Sequence, residues 1–179
     1  MTYETIMAGF GGQGLLFSGK VLAHAALLEG RELTWLPSYG PEMRGGTCNC
    51  SVIVSDEPVG SPIVAHPNIL MVMNEPSLDR FEGEVAPGGY LFADSSLIGR
   101  KTSRSDVDAT YIPATQMAKD MDAASLANMI ILGAIVKKTG CVKPETVISA
   151  LKETISARKA NLLDLNIKAV ELGEKFIGG

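Results

Sequence analysis

The chain has 179 residues, close to one domain at ~150 residues each. Hydrophobic residues make up 46% and charged ones 20%, enough apolar material for a substantial core. The net charge is −4 with no basic cluster, which excludes the cationic footprint that nucleic acid or an anionic membrane surface would need. Apolar stretches stop well short of a membrane span and no leader precedes the first strand, so a cytoplasmic protein with no membrane partner is expected.

The first element is a strand around Ile6-Met7-Ala8, followed by Gly9-Phe10-Gly11-Gly12-Gln13-Gly14 and a helix from about Gly12 to Glu29 that Gly30 stops. In such a turn the first glycine lets the chain leave the strand sharply, the second lets a ligand approach the main chain, and the third lets the helix pack on the sheet. The turn leaves N–H groups free at a helix N-terminus, where the dipole favours an anion by ~0.3–1 kcal/mol. An anion site and a purely structural tight turn both fit these glycines. A dinucleotide site also needs an acid at the end of the second strand, ~20 residues on. That strand reads Glu32 to Pro37, with Glu32 at its beginning. The carboxylate is therefore at the wrong end of the sheet, and an ordinary NAD site is disfavoured.

Next comes the loop from Ser38 to Thr47, which sets Tyr39, Glu42 and Arg44 among three glycines and a proline. By the crevice rule for open α/β sheets this loop lies beside the glycine turn. Arg44 and the helix N-terminus would then clamp a phosphate or carboxylate; an ion pair across a subunit contact uses the same chemistry. The following strand, Asn49–Ser55, places Cys48 and Cys50 on one face. With Cys141 they are three thiols, too few for an iron–sulfur cluster, and are read as reduced and structural. His24 and His66 are too scattered to build a catalytic set.

Ile69–Met73 reads as a buried parallel strand. A short helix begins after Asn74 with Pro76 in its first turn, and Gly88-Gly89 leads into the strand Tyr90–Asp94. Residues 99–108 are a polar connection before a last short strand at Tyr111-Ile112-Pro113. The rest is helical. Ser125–Lys138 is apolar nearly all round and therefore buried, Gly140 ends it and Pro144 starts the next helix. The terminal helix shows a stripe at Leu162, Leu165, Ala169, Leu172 and Phe176. Asn128, an amide in a buried helix, needs a partner at a cost of about 1–3 kcal/mol if it has none. A hydrogen bond to the glycine turn is the first expectation for it, a ligand contact the second.

The pair Gly9-Phe10-Gly11-Gly12-Gln13-Gly14 and Ser38-Tyr39-Gly40-Pro41-Glu42-Met43-Arg44-Gly45-Gly46-Thr47 closely resembles the gamma subunit of 2-oxoacid:ferredoxin oxidoreductases. The resemblance continues through Ser51–Ser55, Ser61-Pro62, Asn128 and Leu132-Gly133, so it spans 1–179 as a single domain. It is similar to the 2-oxoglutarate and 2-oxoisovalerate branch more than to the pyruvate branch. The resemblance implies an α/β fold, with a Rossmann-like, mostly parallel sheet flanked by helices and a helical C-terminal third packed on it. It also implies a complex in which thiamine diphosphate and iron–sulfur clusters sit on alpha, beta and in some members delta subunits, with electrons passing to ferredoxin. This chain would then hold no catalytic residue and no metal, and would help to admit coenzyme A. Gly9, Gly11, Gly12, Gln13, Gly14, Tyr39, Arg44 and Asn128 are the candidate binding residues. Two other readings remain open: a stand-alone nucleotide-binding oxidoreductase, and an assembly subunit with an empty crevice. Isolated from its partners, the chain would expose apolar surface and form a homodimer.

Overall fold

The central strand, β1 (Thr2–Phe10), is buried from Thr5 to Gly9 in the computed structural model, which describes residues 1–38, 47–156 and 159–179. Strands buried on both faces read as continuous apolar runs. β4 (Ile69–Val72), every residue of which is buried, is parallel to β1, and β5 (Tyr90–Asp94) and β6 (Asp108–Ile112) continue in the same direction. On the other side of β1 lies β3 (Thr47–Ser55), antiparallel to it, and beyond that β2 (Glu32–Ser38), antiparallel to β3. The sheet order is β2-β3-β1-β4-β5-β6. A parallel four-stranded core therefore carries an antiparallel pair on one edge. The second strand in sequence does not lie next to the first, as the crevice rule assumes; β3 is inserted between them.

Alternation along β1 sends successive side chains to opposite faces. Ile6 and Ala8 join one apolar cluster with Leu78 and Phe81 of α2 (Glu75–Phe81). Met7 joins the other and larger cluster, with α1 (Leu15–Leu28), α3 (Ala114–Asp120), α4 (Ala127–Thr139), α5 (Pro144–Thr154) and α6 (Ala160–Gly178). The helical C-terminal third thus covers a single face of the sheet. Helix α4 is buried without a break from Ala127 to Val136, which accounts for its all-round apolar sequence.

Three elements differ from expectation. β6 begins three residues earlier than the expected Tyr111 and ends before Pro113. α1 starts at Leu15, because Gly12 and Gly14 hold positive φ values of 91° and 76° and keep the chain out of the helix until then. In α6 the buried face is Asn166, Ala169, Val170 and Gly173, whereas Leu162 and Phe176 are 47% and 40% exposed. The reason is close approach to α4. A Cβ on Gly133 would collide with the Val170 carbonyl, and one on Gly173 with the Ile130 carbonyl. Backbones in contact require small residues at the crossing, so the larger side chains are displaced to its flanks.

Candidate functional site

The turn after β1 is braced from inside. Gln13 folds back so that its Oε1 accepts from the Phe10 N–H (2.6 Å) and its Nε2 donates to the Met73 carbonyl (3.1 Å) just past β4. Both polar ends of Gln13 are thereby engaged by main chain. Gly9 makes room for this brace: a Cβ there would strike Gln13 Oε1 and lie 3.1 Å from the Met73 Cβ. Gly14, the N-cap of α1, is pressed against Asn128, whose Nδ2 would lie 2.6 Å from an added Cβ. Asn128 Nδ2 donates to the Gly14 carbonyl (2.9 Å) and to Ser18 Oγ (2.8 Å). The expected structural bond to the glycine turn is present.

Other parts of the turn face outward. Gly11 and Gly12 are exposed, and nothing lies within 4 Å of where a Cβ on Gly12 would be. The first turn of α1 has no side-chain cap and no acid, so its N–H groups are open to an anion. Tyr39 and Arg44 lie outside the described residues. The strand ends on either side of them are placed: Thr47 pairs with Phe10, and Ser38 with Asn49. Ser38 and Thr47 both lie at the end of the sheet where β1 meets the glycine turn. Glu32 pairs with Ser55 at the opposite end, where Ser55 also meets Thr2, which leaves it remote from the turn.

The thiols are packing groups. Cys48 and Cys50 are buried on one face of β3, and Cys50 Sγ donates to the Leu15 carbonyl (3.5 Å). Burial first, then the neighbouring Cys48, pushes the Cys50 thiol up to about 12, which removes it from thiolate chemistry. Among the described residues no group of three or more His, Cys, Asp or Glu could hold a metal ion. His24 is half-buried and its Nε2 meets Glu153 Oε2 at 2.7 Å, a contact between α1 and α5.

A cavity of about 480 Å³ opens beside the turn. Gly12, Gly14 and Phe17 form one wall, and Ser125, Leu126 and Asn128 at the start of α4 a second. The corner between α5 and α6 closes it with Ile155, Lys159, Leu162 and Asn166. Asn166 was not among the residues expected from sequence. An amide within the buried face of a long amphipathic helix is the signal that marks it.

Comparison with known proteins follows the same outline. The family described as pyruvate ferredoxin/flavodoxin oxidoreductase matches residues 4–176. The ketoisovalerate oxidoreductase subunit VorA of Methanothermobacter thermautotrophicus is 42% identical over 172 residues, 95% of this chain. The chain spans about a third of that relative's length, 35%. The 2-oxoglutarate synthase subunit KorC of Methanocaldococcus jannaschii is 33% identical, with 91% of this chain and 90% of KorC covered. Among solved structures, the keto/oxoacid ferredoxin oxidoreductase gamma subunit from Geobacter sulfurreducens superposes with a TM-score of 0.87 at 30% identity, covering 98% of this chain and 95% of that one. A 2-oxoglutarate:ferredoxin oxidoreductase from Magnetococcus marinus, with 2-oxoglutarate, coenzyme A and succinyl-CoA bound, shares the fold at a TM-score of 0.89 and 22% identity; 99% of this chain matches 31% of that one.

Proposed function

Because the chain belongs to the pyruvate ferredoxin/flavodoxin oxidoreductase family, we propose that residues 1–179 act as one gamma-type domain of a 2-oxoacid:ferredoxin oxidoreductase complex. The complex would convert a 2-oxoacid, coenzyme A and two oxidised ferredoxins into acyl-CoA, carbon dioxide, a proton and two reduced ferredoxins. Alpha and beta subunits, with delta where present, carry thiamine diphosphate and the clusters in this reading. The described residues of this chain do not fit a cluster: the three cysteines are buried and no group of three or more His, Cys, Asp or Glu among those residues could hold a metal ion. Coenzyme A does fit. Its phosphates need open backbone donors without carboxylates nearby, and the uncapped, acid-free start of α1 behind the open Gly12 supplies them. That turn is the observation that carries the proposal. Gly11 and Gly12 would lie against the coenzyme, Tyr39 and Arg44 would close over it, and Gly9, Gln13 and Asn128 would hold the turn in shape.

The substrate is proposed from relatives. A ketoisovalerate oxidoreductase subunit stands at 42% identity and 2-oxoglutarate synthase subunits at 33%, so 2-oxoglutarate and branched 2-oxoacids share the field. No helix among the described residues is long and apolar enough to cross a membrane, which supports a cytoplasmic complex. A second reading has its own observation. Gln13 and the Asn128 amide nitrogen are engaged within the chain, as an assembly subunit with an empty crevice would have them.

Capture of the tagged chain from its host, followed by assay of coenzyme A-dependent viologen reduction with a panel of 2-oxoacids, tests the complex and names the substrate. Activity with larger subunits co-eluting is expected; a clean inactive chain from cells expressing those subunits would sink the proposal. Within the complex, Arg44→Ala is expected to raise the KM for coenzyme A with assembly intact. Loss of assembly instead would place Arg44 at a subunit seam.

A further inference from the structure

The sheet is covered unequally. Directly paired residues of antiparallel strands share a face, so the register groups Ile6 with Ser51 and Leu36, Ala8 with Asn49 and Ser38, and Glu4 with Ile53 and Thr34. This is the side of the sheet on which α2 lies, and α2 packs on β4 and β1. Helix α1 does pack on β2 and β3, but from the other side, against Cys48, Cys50 and Trp35. β2 and β3 therefore keep one bare face. On it Thr34, Asn49 and Ser51 are half-buried and Ser38 is exposed. Leu36 and, by alternation along β1, Phe10 stand on the same face, 42% and 45% exposed.

A solvated face on an antiparallel pair is ordinary, but such faces are polar, and edge strands in particular carry charge. Here none of the six side chains is charged, in a chain with 20% charged residues, and two are large and apolar. Exposed aromatic and aliphatic groups in a zone free of charge have the composition of an interface core. Ile63, in the crossover between β3 and β4, extends the zone: it is 71% exposed and shares a cavity of about 260 Å³ with Ile53.

Size and relatives together say what covers it. Three strands over about six residues give a footprint of roughly 300 Å², against the roughly 800 Å² that each partner gives to a stable interface. Two copies of this chain pressed together here would hold only weakly. A larger body can cover the strands and reach on to Ile63 and the β2 edge at once. The relatives contain one: the matched region is 35% of VorA but 90% of KorC. A domain that stands almost alone in one relative and within a longer chain in another holds its neighbour by surface contact and not by a tether alone.

We propose that the bare face of β2, β3 and β1 seats the polypeptide corresponding to the other two thirds of VorA, through an uncharged surface that places apolar side chains against Phe10, Leu36 and Ile63. The proposal rests on the subunit reading above and deepens it, assigning the contact to one face of the sheet.

Thiol labelling of the isolated chain and of the purified complex tests it. The natural cysteines are at most 4% exposed, so a maleimide reports on an introduced thiol alone. Ser51→Cys changes one atom at the centre of the face, between Ile6 and Leu36. It is expected to label in the dilute isolated chain and to lose that labelling in the complex. Lys168→Cys, on the exposed side of α6 across the sheet, is expected to label in both. Ser51→Lys should leave thermal unfolding of the isolated chain unchanged and stop the larger subunits from co-eluting. Equal labelling of Ser51→Cys in chain and complex would overturn the assignment. So would protection that appears only as the isolated chain is concentrated and is absent from the complex, which gives the face to a second copy. If no larger subunit accompanies the wild-type chain, the subunit reading beneath the proposal falls instead.

Discussion

Asn128 and Gly14 are each explained by the other. The amide nitrogen satisfies the Gly14 carbonyl, and the missing Cβ lets it come within reach. Asn128→Ala is expected to destabilise the chain by about 1–3 kcal/mol in urea unfolding, the cost of an abandoned buried carbonyl. Gly14→Ala combines a side chain at φ 76° with a clash against that same amide, and should cost at least about 1–2 kcal/mol. The two effects should not add. Removing the amide also removes the obstacle, so the double variant should be more stable than the sum by over ~0.5 kcal/mol, and simple additivity would refute the contact. Asn128 was legible in the sequence because a lone amide in an apolar helix must bond to something. The use made of Gln13 was not legible. Its neighbours in the chain are glycines, and its second partner, the Met73 carbonyl, is 60 positions away.

At the scale of elements, the crossing of α4 and α6 is the sharpest constraint. Gly173→Ala would force the helices apart against the Ile130 carbonyl and is expected to cost about 3 kcal/mol or more, the range for severe overpacking; a shift under about 1 kcal/mol in thermal or urea unfolding would show that the helices can slide. Periodicity placed α6 and most other elements correctly, since each is amphipathic or wholly buried. It centred the buried face of α6 to one side of the true one, sharing Ala169 with it, because a stripe of large residues outweighs glycine and alanine on any hydrophobic scale, whereas a backbone contact selects for the smallest residues. A second element-scale device ties the polar connection after β5 to α2. Arg100 bonds to Asp79 and Glu82, and Thr102 Oγ1 donates to Glu82 (2.6 Å). Burial raises Glu82, but the hydrogen bonds from Arg100 and Thr102 outweigh it and hold the carboxyl below its usual value of 4.5. The folded state thus binds this proton less readily than the unfolded chain, so the tie is intact above pH 4.5 and is lost as the pH falls below it. Amide exchange at Ser103, whose N–H bonds to Glu82, is expected to quicken as the pH falls below 4.5 beyond its intrinsic pH dependence, and Glu82→Gln should abolish that extra change.

For the whole molecule, a mostly parallel sheet was readable from the strand–glycine turn–helix opening and from the buried apolar run that forms β4. The insertion of β3 was not, because whether a strand returns beside its predecessor or crosses over depends on long-range pairing that local pattern does not record. The result is an edge strand, β2, that presents Leu36 at 42% exposure, and Leu27 in the last turn of α1 is 59% exposed. Edges of this kind invite pairing. The isolated chain is expected to sediment as a concentration-dependent dimer and Leu36→Lys to shift it toward monomer; an unchanged profile would move the contact elsewhere.

The cavity wall draws on both ends of the chain, from Gly12 to Asn166. During synthesis the glycine turn leaves the ribosome first and waits for the last helix to complete its surroundings. A nascent chain halted after Thr154 has a sheet and an anion-friendly turn, yet no enclosed space. Competence to bind would therefore arrive late, once the first turns of α6 have closed the wall.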